Sequence, residues 1–222
     1  MVTNLENNDE VWLNKKKVQD RPTYFFVKRL TDMIFSLLGI LLLSPVFIVL
    51  SLLIRNDGSH GKAFYVQERV GKDGTHFKMY KFRSMIPDAD KHLDELMDQN
   101  EVDGAMFKMK DDPRITKVGK FIRKYSLDEL PQLFNVLQGD MSLVGPRPPI
   151  PSEVAEYTDY DKQRLLVKPG CTGLWQATVR NNTDFNGMVK LDIEYIQKST
   201  FLFDIKIMFE TVKVMIKPNT AY

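Results

Sequence analysis

The sequence predicts an α+β protein that is mostly helical. Three features predict this class: a continuous apolar run over residues 33–54, a pair of short strand-like segments between residues 64 and 82, and several helical patterns beyond them. The 222 residues suffice for one domain with a modest core and a few attachments. The 31 basic and 29 acidic residues nearly cancel, so the net charge of +2 gives no argument for a nucleic-acid partner.

The N-terminal region is polar and basic. Residues 11–30 contain one acidic side chain, Asp20, against a basic set made of Lys15, Lys16, Lys17, Arg21, Lys28 and Arg29. A basic block immediately before an apolar segment suits an anionic lipid surface. Cys171 is the single cysteine, so no internal disulfide can form, which fits a reducing cytoplasm.

Residues 33–54 are uncharged and, as a straight helix, would reach ~33 Å, about the thickness of one hydrocarbon core. The simplest interpretation is a helix that spans the membrane. However, Pro45 in the middle bends a helix, and the Ser44 hydroxyl can bond a freed carbonyl. Basic residues also flank both ends, and the positive-inside rule places both ends on the cytoplasmic face. These features favour a re-entrant hairpin broken at Ser44-Pro45, and leave a kinked span open.

Two strands follow the apolar segment. Residues 64–67 and 76–82 have strand character, and Gly71-Lys-Asp-Gly74 between them supplies the turn chemistry of a small β-hairpin.

Five segments are predicted to be helical: residues 88–99, 117–125, a stretch from about Asp128, 187–198 and 204–217. The last of these mixes apolar residues with Lys206, Lys213 and Lys217. It can lie in the plane of a membrane interface with its lysines near headgroups, or pack as an ordinary amphipathic core helix. Both interpretations stay open at this point.

Two adjacent carboxylates, Asp128 and Glu129, stand just before Pro131. Because proline is tolerated in the first turn of a helix, Asp128 is predicted to be the N-cap and Glu129 the first helical residue. Alternatively, Ser126 and Glu129 form a capping box. In either case both acids lie at a helix N-terminus, where free N–H groups and the positive end of the dipole also stabilise a phosphate.

Arginines accompany this acid pair. Arg123 lies five residues before Asp128, and Arg147 lies in a stiff loop, residues 146–151, that holds four prolines. Two acids framed by guanidinium groups suit chemistry on a phosphate. The pair alone is more typical of capping, and the arginines shift the balance toward chemistry. Two further segments, Glu68-Arg69 before the hairpin turn and Lys81-Phe-Arg83-Ser after it, could supply phosphate donors. Solvated strand ends are the more usual interpretation of both, and the sequence favours it.

Eight motifs, taken in order, resemble those of the bacterial sugar transferase family, the small monotopic phosphoglycosyl transferases that begin the assembly of surface polysaccharides and glycoproteins. The resemblance runs from about Phe26 to the C-terminus. The motifs are Lys28-Arg29-x-x-Asp32, Ser44-Pro45, Gln67-Glu-Arg-Val-Gly71, Lys81-Phe-Arg-Ser-Met85, Asp112-Pro-Arg-Ile-Thr116, Ser126-Leu-Asp-Glu-Leu-Pro-Gln132, Met141-Ser-Leu-Val-Gly-Pro-Arg-Pro148 and Lys168-Pro-Gly-Cys-Thr-Gly-Leu-Trp-Gln176.

The resemblance implies transfer of a sugar-1-phosphate from a UDP-sugar to undecaprenyl phosphate, with release of UMP. By the same resemblance Asp128 attacks the sugar-bearing phosphorus and forms a covalent phosphosugar enzyme. Glu129 helps to deprotonate the lipid phosphate, and Mg²⁺ sits by Asp128 and the diphosphate. Further implied contacts are those of Arg123, Arg147 and Arg180 with phosphates and those of Lys28 and Arg29 with the lipid headgroup.

The resemblance also implies a division of the chain. Residues 1–23 are a polar and basic segment, residues 24–58 a re-entrant membrane helix, and residues 59–222 a cytoplasmic catalytic domain with amphipathic interfacial helices. The expected location is the cytoplasmic face of the inner membrane, in a monotopic arrangement, with a homodimer and downstream glycosyltransferases as further expected partners. The chain is expected to be a minimal form without the multi-span N-terminal region of larger relatives.

One departure concerns the sugar. Many members with a glucose or galactose donor carry Val-Ser-Gly-Arg after the Trp-Gln, whereas this chain has Ala177-Thr-Val-Arg180. Val179 in place of a glycine leaves the donor sugar open.

The alternative to an enzyme is an inactive membrane scaffold of a polysaccharide assembly complex. The intact acid pair and arginines argue against it.

Overall fold

The long apolar helix and a small sheet predicted from the sequence are both present in the computed structural model, which is mostly helical. The structure describes residues 10–92, 95–96, 100, 109, 111–179 and 183–216. The helices are α1 (Lys15–Gln19), α2 (Pro22–Arg55), α3 (Lys117–Lys124), α4 (Gln132–Gln138), α5 (Pro151–Ala155), α6 (Leu174–Thr178), α7 (Phe185–Lys198) and α8 (Phe201–Ile216). The strands are β1 (Phe64–Val70), β2 (His76–Phe82), β3 (Ser142–Val144) and β4 (Gly170–Thr172).

Helix α2 begins with Pro22 in its first turn and continues for 34 residues with Pro45 in its interior. Pro45 has no N–H to give to the Leu41 carbonyl, and the Ser44 hydroxyl donates to that carbonyl instead, at 2.8 Å. The predicted role of Ser44 is therefore confirmed. The helix is continuous through Ser44 and Pro45, so the re-entrant hairpin stays a prediction.

Residues on both sides of Pro45 pack against the same domain. Before it, Arg29 donates to the carbonyls of Val136 and Leu137 at the end of α4. After it, Leu50 and Ile54 are buried in a core cluster with residues of β2 and α3. The rest of the α2 surface is a broad band of exposed apolar side chains: Phe26, Leu30, Met33, Ile34, Phe35, Leu37, Leu38, Leu41, Leu42, Ile48, Val49, Leu52 and Leu53.

The predicted β-hairpin is confirmed. Strands β1 and β2 pair antiparallel with Phe64 opposite Phe82 and Val70 opposite His76. The turn between them is a short 3₁₀ segment, Lys72–Gly74, in which Gly74 has a φ of +80°. Strand β1 extends three residues further than predicted and so includes Arg69.

A second, parallel pair, β3 with β4, was not predicted because each strand has only three residues. It depends on two glycines, since a Cβ on Gly170 would collide with the backbone of Gly145. This close approach fixes the start of the loop that carries Arg147.

The predicted helices are found with shifted ends. Helix α3 begins after Thr116, whose side chain accepts from the Gly119 N–H, and α7 begins after Asp184, which caps it in the same way. The predicted helix over 88–99 lies partly outside the described residues, and its start is a 3₁₀ turn, Ala89–His92.

Helix α8 combines the two interpretations that the sequence left open. Asp204 and Ile207 on one face are buried. On the other face Leu202, Phe209 and Ile216 recur every seven residues and are 76%, 65% and 71% exposed. One face therefore belongs to the core, and the opposite apolar face is open, so an interfacial position stays a prediction.

Candidate active site

The acid pair lies in a 3₁₀ turn, Leu127–Glu129, just ahead of α4. The prediction that Asp128 caps the α-helix is wrong, because the helix begins at Gln132, directly after Pro131. Ser126 has a left-handed conformation with a φ of +54° and makes no side-chain cap bond, so the alternative capping box is also wrong. The left-handed residue reverses the chain, and i→i+3 hydrogen bonds then hold the two acids.

The β-hairpin supplies a positive charge to this turn. Lys81 Nζ lies 3.0 Å from Glu129 Oε1, and its side chain is 22% exposed. Lys81 stands opposite Tyr65 in the ladder, on the same strand face as Gln67 and Arg69 of β1. The interpretation of Lys81 as a solvated strand end is therefore wrong.

The two carboxyl groups have different acidities. Burial raises the pKa of Asp128 to about 6; the charge of Glu129 adds to this, while Lys81 and Arg123 oppose it. Burial acts on Glu129 in the same direction, but the positive charges of Lys81, Arg147 and Arg69 outweigh it and lower its pKa. Asp128 thus carries the more basic, and therefore the more nucleophilic, of two carboxylates that are both ionised above pH 7.

The loop that carries Arg147 is held by its main chain. Its prolines leave few N–H groups, and all four consecutive carbonyls from residue 146 to residue 149 accept hydrogen bonds from distant elements. The donors are Gly170 N to Pro146 O at 2.8 Å, Arg164 Nη2 to Arg147 O at 3.3 Å, Arg69 Nη1 to Pro148 O at 2.8 Å and Val70 N to Pro149 O at 2.9 Å. The predicted stiffness of this loop is therefore explained by bonding as well as by proline.

The Arg147 side chain is oriented by a buried acid. Its guanidinium donates to both oxygens of Glu153 at 3.0–3.3 Å, and Glu153 Oε2 also accepts from the Ile150 N–H. The Arg147 side chain remains 25% exposed while that of Glu153 is 3% exposed. The arginine therefore presents a fixed, partly open guanidinium beside the acid pair.

The structure brings Arg123 close enough to act on the pKa of Asp128. It gives Lys28 and Arg29 contacts inside the protein: Lys28 Nζ lies 2.8 Å from Asp204 Oδ2, and Arg29 donates to the last carbonyls of α4. Headgroup binding by these two residues stays a prediction. Arg180 lies outside the described residues.

Arg69, which the sequence offered as a possible phosphate donor, is not the solvated strand end that was favoured. Its side chain is buried, with 7% exposure, and it bonds to the Arg147 loop. The alternation of side chains along a strand could have predicted its burial. Glu68, its neighbour, is 63% exposed and points to the opposite face. Reading β1 three residues further would have placed Arg69 inside.

The protein groups at this site supply only part of the coordination shell that a magnesium ion needs. Among the described residues there is no group of three or more His, Cys, Asp or Glu side chains that could hold a metal. Glu129 is already engaged by Lys81, so Asp128 would be the protein ligand of a bound ion. Mg²⁺ commonly takes one or two carboxylates and completes its shell with phosphate oxygens and water, and Asp128 beside a diphosphate fits that pattern.

Comparison with known proteins agrees with the motifs. The family model for bacterial sugar transferase matches residues 23–218. The chain is 50% identical over 195 residues to the galactosyl transferase CpsE of Streptococcus agalactiae serotype III, which covers 87% of this chain and 43% of the relative. It is 46% identical over 201 residues to the undecaprenyl-phosphate galactose phosphotransferase of Salmonella typhimurium, covering 89% and 42%.

A shorter relative matches over most of its length. The exopolysaccharide production protein ExoY of Sinorhizobium fredii is 38% identical over 207 residues, which is 91% of either chain. The chain therefore belongs to the bacterial sugar transferase family. It spans less than half the length of CpsE and of the Salmonella enzyme.

Proposed function

We propose that this protein transfers a sugar-1-phosphate from a UDP-sugar to undecaprenyl phosphate, releases UMP, and so begins the synthesis of a surface polysaccharide or glycoconjugate. The observation that carries the proposal is the acid pair, held between Lys81 and the rigid Arg147 loop. The names of its relatives, among them undecaprenyl-phosphate galactose and glucose phosphotransferases, support the reaction class.

In the first step an oxygen of Asp128 attacks the sugar-bearing phosphorus of the donor. A bond forms between that oxygen and phosphorus, and the bond from phosphorus to the bridging oxygen breaks, so UMP leaves. The product is an aspartyl phosphosugar. The raised pKa of Asp128 supports this role, and Lys81 and Arg147 offset the repulsion between two anions.

In the second step a phosphate oxygen of the lipid attacks the same phosphorus. The bond to Asp128 breaks, its carboxylate is restored, and a diphosphate-linked lipid sugar forms. Glu129, ionised beside Lys81, is positioned next to Asp128 to accept a proton from the lipid phosphate. A bound Mg²⁺ would neutralise charge on the diphosphate next to Asp128.

We also propose that α2 enters and leaves the membrane from the cytoplasmic face. A helix that crossed a bilayer ~30 Å thick would carry its two ends to opposite sides. Arg29 and Ile54, near the two ends, both contact one domain. The exposed apolar band of α2 and the open face of α8 would then rest in one leaflet. In this arrangement the covalent intermediate lets a soluble donor and a lipid acceptor use one site in turn.

The chemical proposal is tested with Asp128→Asn. We expect loss of UMP release, with unchanged membrane binding and melting temperature. Asp140→Asn, at an exposed acid beyond α4, is the matched control and should retain activity. Mass spectrometry of enzyme trapped with donor alone should find a sugar phosphate on the peptide containing Asp128. Full activity of Asp128→Asn would disprove the assignment of the nucleophile.

The donor is tested with a panel of UDP-sugars. UDP-galactose comes first, because relatives at 50% and 46% identity are named for galactose. UDP-glucose and N-acetylated donors complete the panel. If no donor yields UMP in the presence of undecaprenyl phosphate and Mg²⁺, the inactive scaffold becomes the better interpretation.

The membrane arrangement is tested with single cysteines at Thr23 and Asn56, exposed residues at the two ends of α2, in a Cys171→Ser background. In intact cells both should be protected from an impermeant thiol reagent, and both should react after lysis. Labelling of one position from outside would establish a spanning helix.

A further inference from the structure

The buried Arg83, directly after β2, has a purely structural role. Arg83 donates to three main-chain carbonyls at 2.7–2.9 Å and pairs with the Asp57 carboxylate at 3.4 Å. Its charge is balanced and its donors are occupied, as expected for a buried arginine.

Arg69 is equally buried but is satisfied differently. Two of its five N–H groups donate to neutral oxygens, Pro148 O at 2.8 Å and Gln67 Oε1 at 2.6 Å. In the part of the chain that the structure describes, its buried Nε has no partner, and no carboxylate lies within ion-pair distance of it. A buried cation with neutral partners alone is costly unless an anion completes its surroundings.

A second guanidinium lies nearby. Burial and the positive charge of Arg147 lower the pKa of Arg69 to about 10, with Glu153 and Glu129 acting in the opposite sense. Both of those acids are already engaged, Glu153 by Arg147 and Glu129 by Lys81. The two arginines therefore share an excess of positive charge next to the acid pair.

We propose that Arg69 is a phosphate-binding residue and forms, with Arg147, a two-guanidinium clamp on one phosphate group. Arg69 lies four residues along β1 from Tyr65, the partner of Lys81, which is ~13 Å along one strand face. Its bond to Gln67 turns the guanidinium toward Lys81. The clamp thus lies on the strand face that leads toward Asp128. A phosphate group bonded to the reacting phosphate would lie at the clamp.

The inference rests on the proposed function for the identity of the phosphate, which belongs either to the nucleotide or to the lipid. The test measures binding of inorganic pyrophosphate, UMP and a short-chain polyprenyl phosphate to the full chain in detergent, by calorimetry. The variants are Arg69→Gln and Arg69→Lys. Lys78→Gln removes an exposed charge from the outer face of the same hairpin and is the matched control.

We expect Arg69→Gln to weaken pyrophosphate binding by about tenfold to a hundredfold, as for loss of a charged hydrogen bond. Arg69→Lys should lose less pyrophosphate affinity, because lysine keeps the positive charge but not the planar, two-pronged donor geometry of a guanidinium. The affinity of Lys78→Gln should stay within about twofold of the wild type. Loss of UMP affinity alone assigns the clamp to the donor, and loss of polyprenyl phosphate affinity alone assigns it to the acceptor.

A role confined to supporting the loop predicts a different result. Arg69→Gln would then lower the melting temperature of the free protein and leave pyrophosphate affinity within about threefold, and that outcome would overturn the clamp. Because pyrophosphate binding needs no turnover, the clamp can stand if the transferase proposal fails. Conversely, UMP release by an enzyme whose Arg69→Gln variant binds normally would leave the transferase proposal intact.

Discussion

Replacing Arg164 by methionine should destabilise the protein strongly, because it breaks an ion pair that is fully buried. The side chains of Arg164 and Asp192 are 1% and 0% exposed. Arg164 Nε donates to Asp192 Oδ2 at 2.8 Å, and Nη1 donates to the Tyr157 hydroxyl at 2.5 Å. Among the described residues Asp192 Oδ1 has no partner, so the variant leaves a buried carboxylate without its main support.

The magnitude follows from the burial. Removing one partner of a buried pair costs about 3–5 kcal/mol, since the remaining charge is uncompensated. For a protein of this length each kcal/mol lowers the melting temperature by about 2–4 °C, so the expected decrease is about 6–20 °C. Replacing both residues, as in Arg164→Met with Asp192→Leu, should recover most of the loss because no buried charge remains.

The loss should also depend on pH. Burial raises the pKa of Asp192 to about 6 although Arg164 opposes it, and removal of Arg164 raises it further. A carboxyl with a higher pKa in the folded than in the unfolded state destabilises the fold as pH rises between the two values. Below about pH 6 the wild type has the same slope, so the deficit of Arg164→Met should grow as pH rises from about 6 to about 8, and Arg164→Met with Asp192→Asn should lack this slope.

The assay is thermal unfolding in detergent or nanodiscs, followed by intrinsic fluorescence across this pH range. A melting temperature within about 2 °C of the wild type at pH 8 would refute the reasoning. So would a double replacement by methionine and leucine that is less stable than Arg164→Met alone.

Three further predictions concern the site and the open apolar face of α8. UMP release should fall as pH drops through about 6, because protonated Asp128 is a poor nucleophile; a flat profile from pH 5 to 7.5 contradicts this. Lys81→Met should move that acidic limb to higher pH, since Lys81 lowers the pKa of Asp128, whereas Lys81→Arg should not; an unmoved limb in Lys81→Met counts against the pairing. An environment-sensitive dye on a cysteine at Phe209, in the Cys171→Ser background, should shift to the blue in vesicles, and the same dye at exposed Lys162 should not; equal spectra would place α8 away from lipid.

The elements that the sequence predicts well are those determined by neighbours in the chain. The hairpin follows from alternation and a glycine turn, and the bond from Ser44 to the Leu41 carbonyl follows from the missing N–H of Pro45. Local chemistry specifies these features, so no distant contact is needed to predict them.

Other features depend on contacts between distant segments and escaped prediction. The acid pair lies in a 3₁₀ turn because Ser126 has a left-handed backbone conformation. A serine side chain does not predict that conformation. Burial of Arg69 depends on the arrival of Pro148, 79 residues later in the chain. The β3–β4 pair depends on Gly145 and Gly170 touching. Each of these features shapes the candidate site. The sequence therefore predicted the two acids with Arg123 and Arg147, but not the turn that holds the acids or the burial of Arg69.

The Arg147 loop links stability to chemistry. Its main chain is held by Arg69 on the side of the acid pair and by Arg164 on the side of the core. A guanidinium whose backbone and side chain are both fixed loses little entropy when it meets a phosphate, and it needs little reorganisation as charge develops. A substitution of Arg164 should therefore affect the rate of the reaction only by displacing Arg147. Arg164→Met, assayed well below its melting temperature, should lose UMP formation without any shift in the acidic limb set by Asp128.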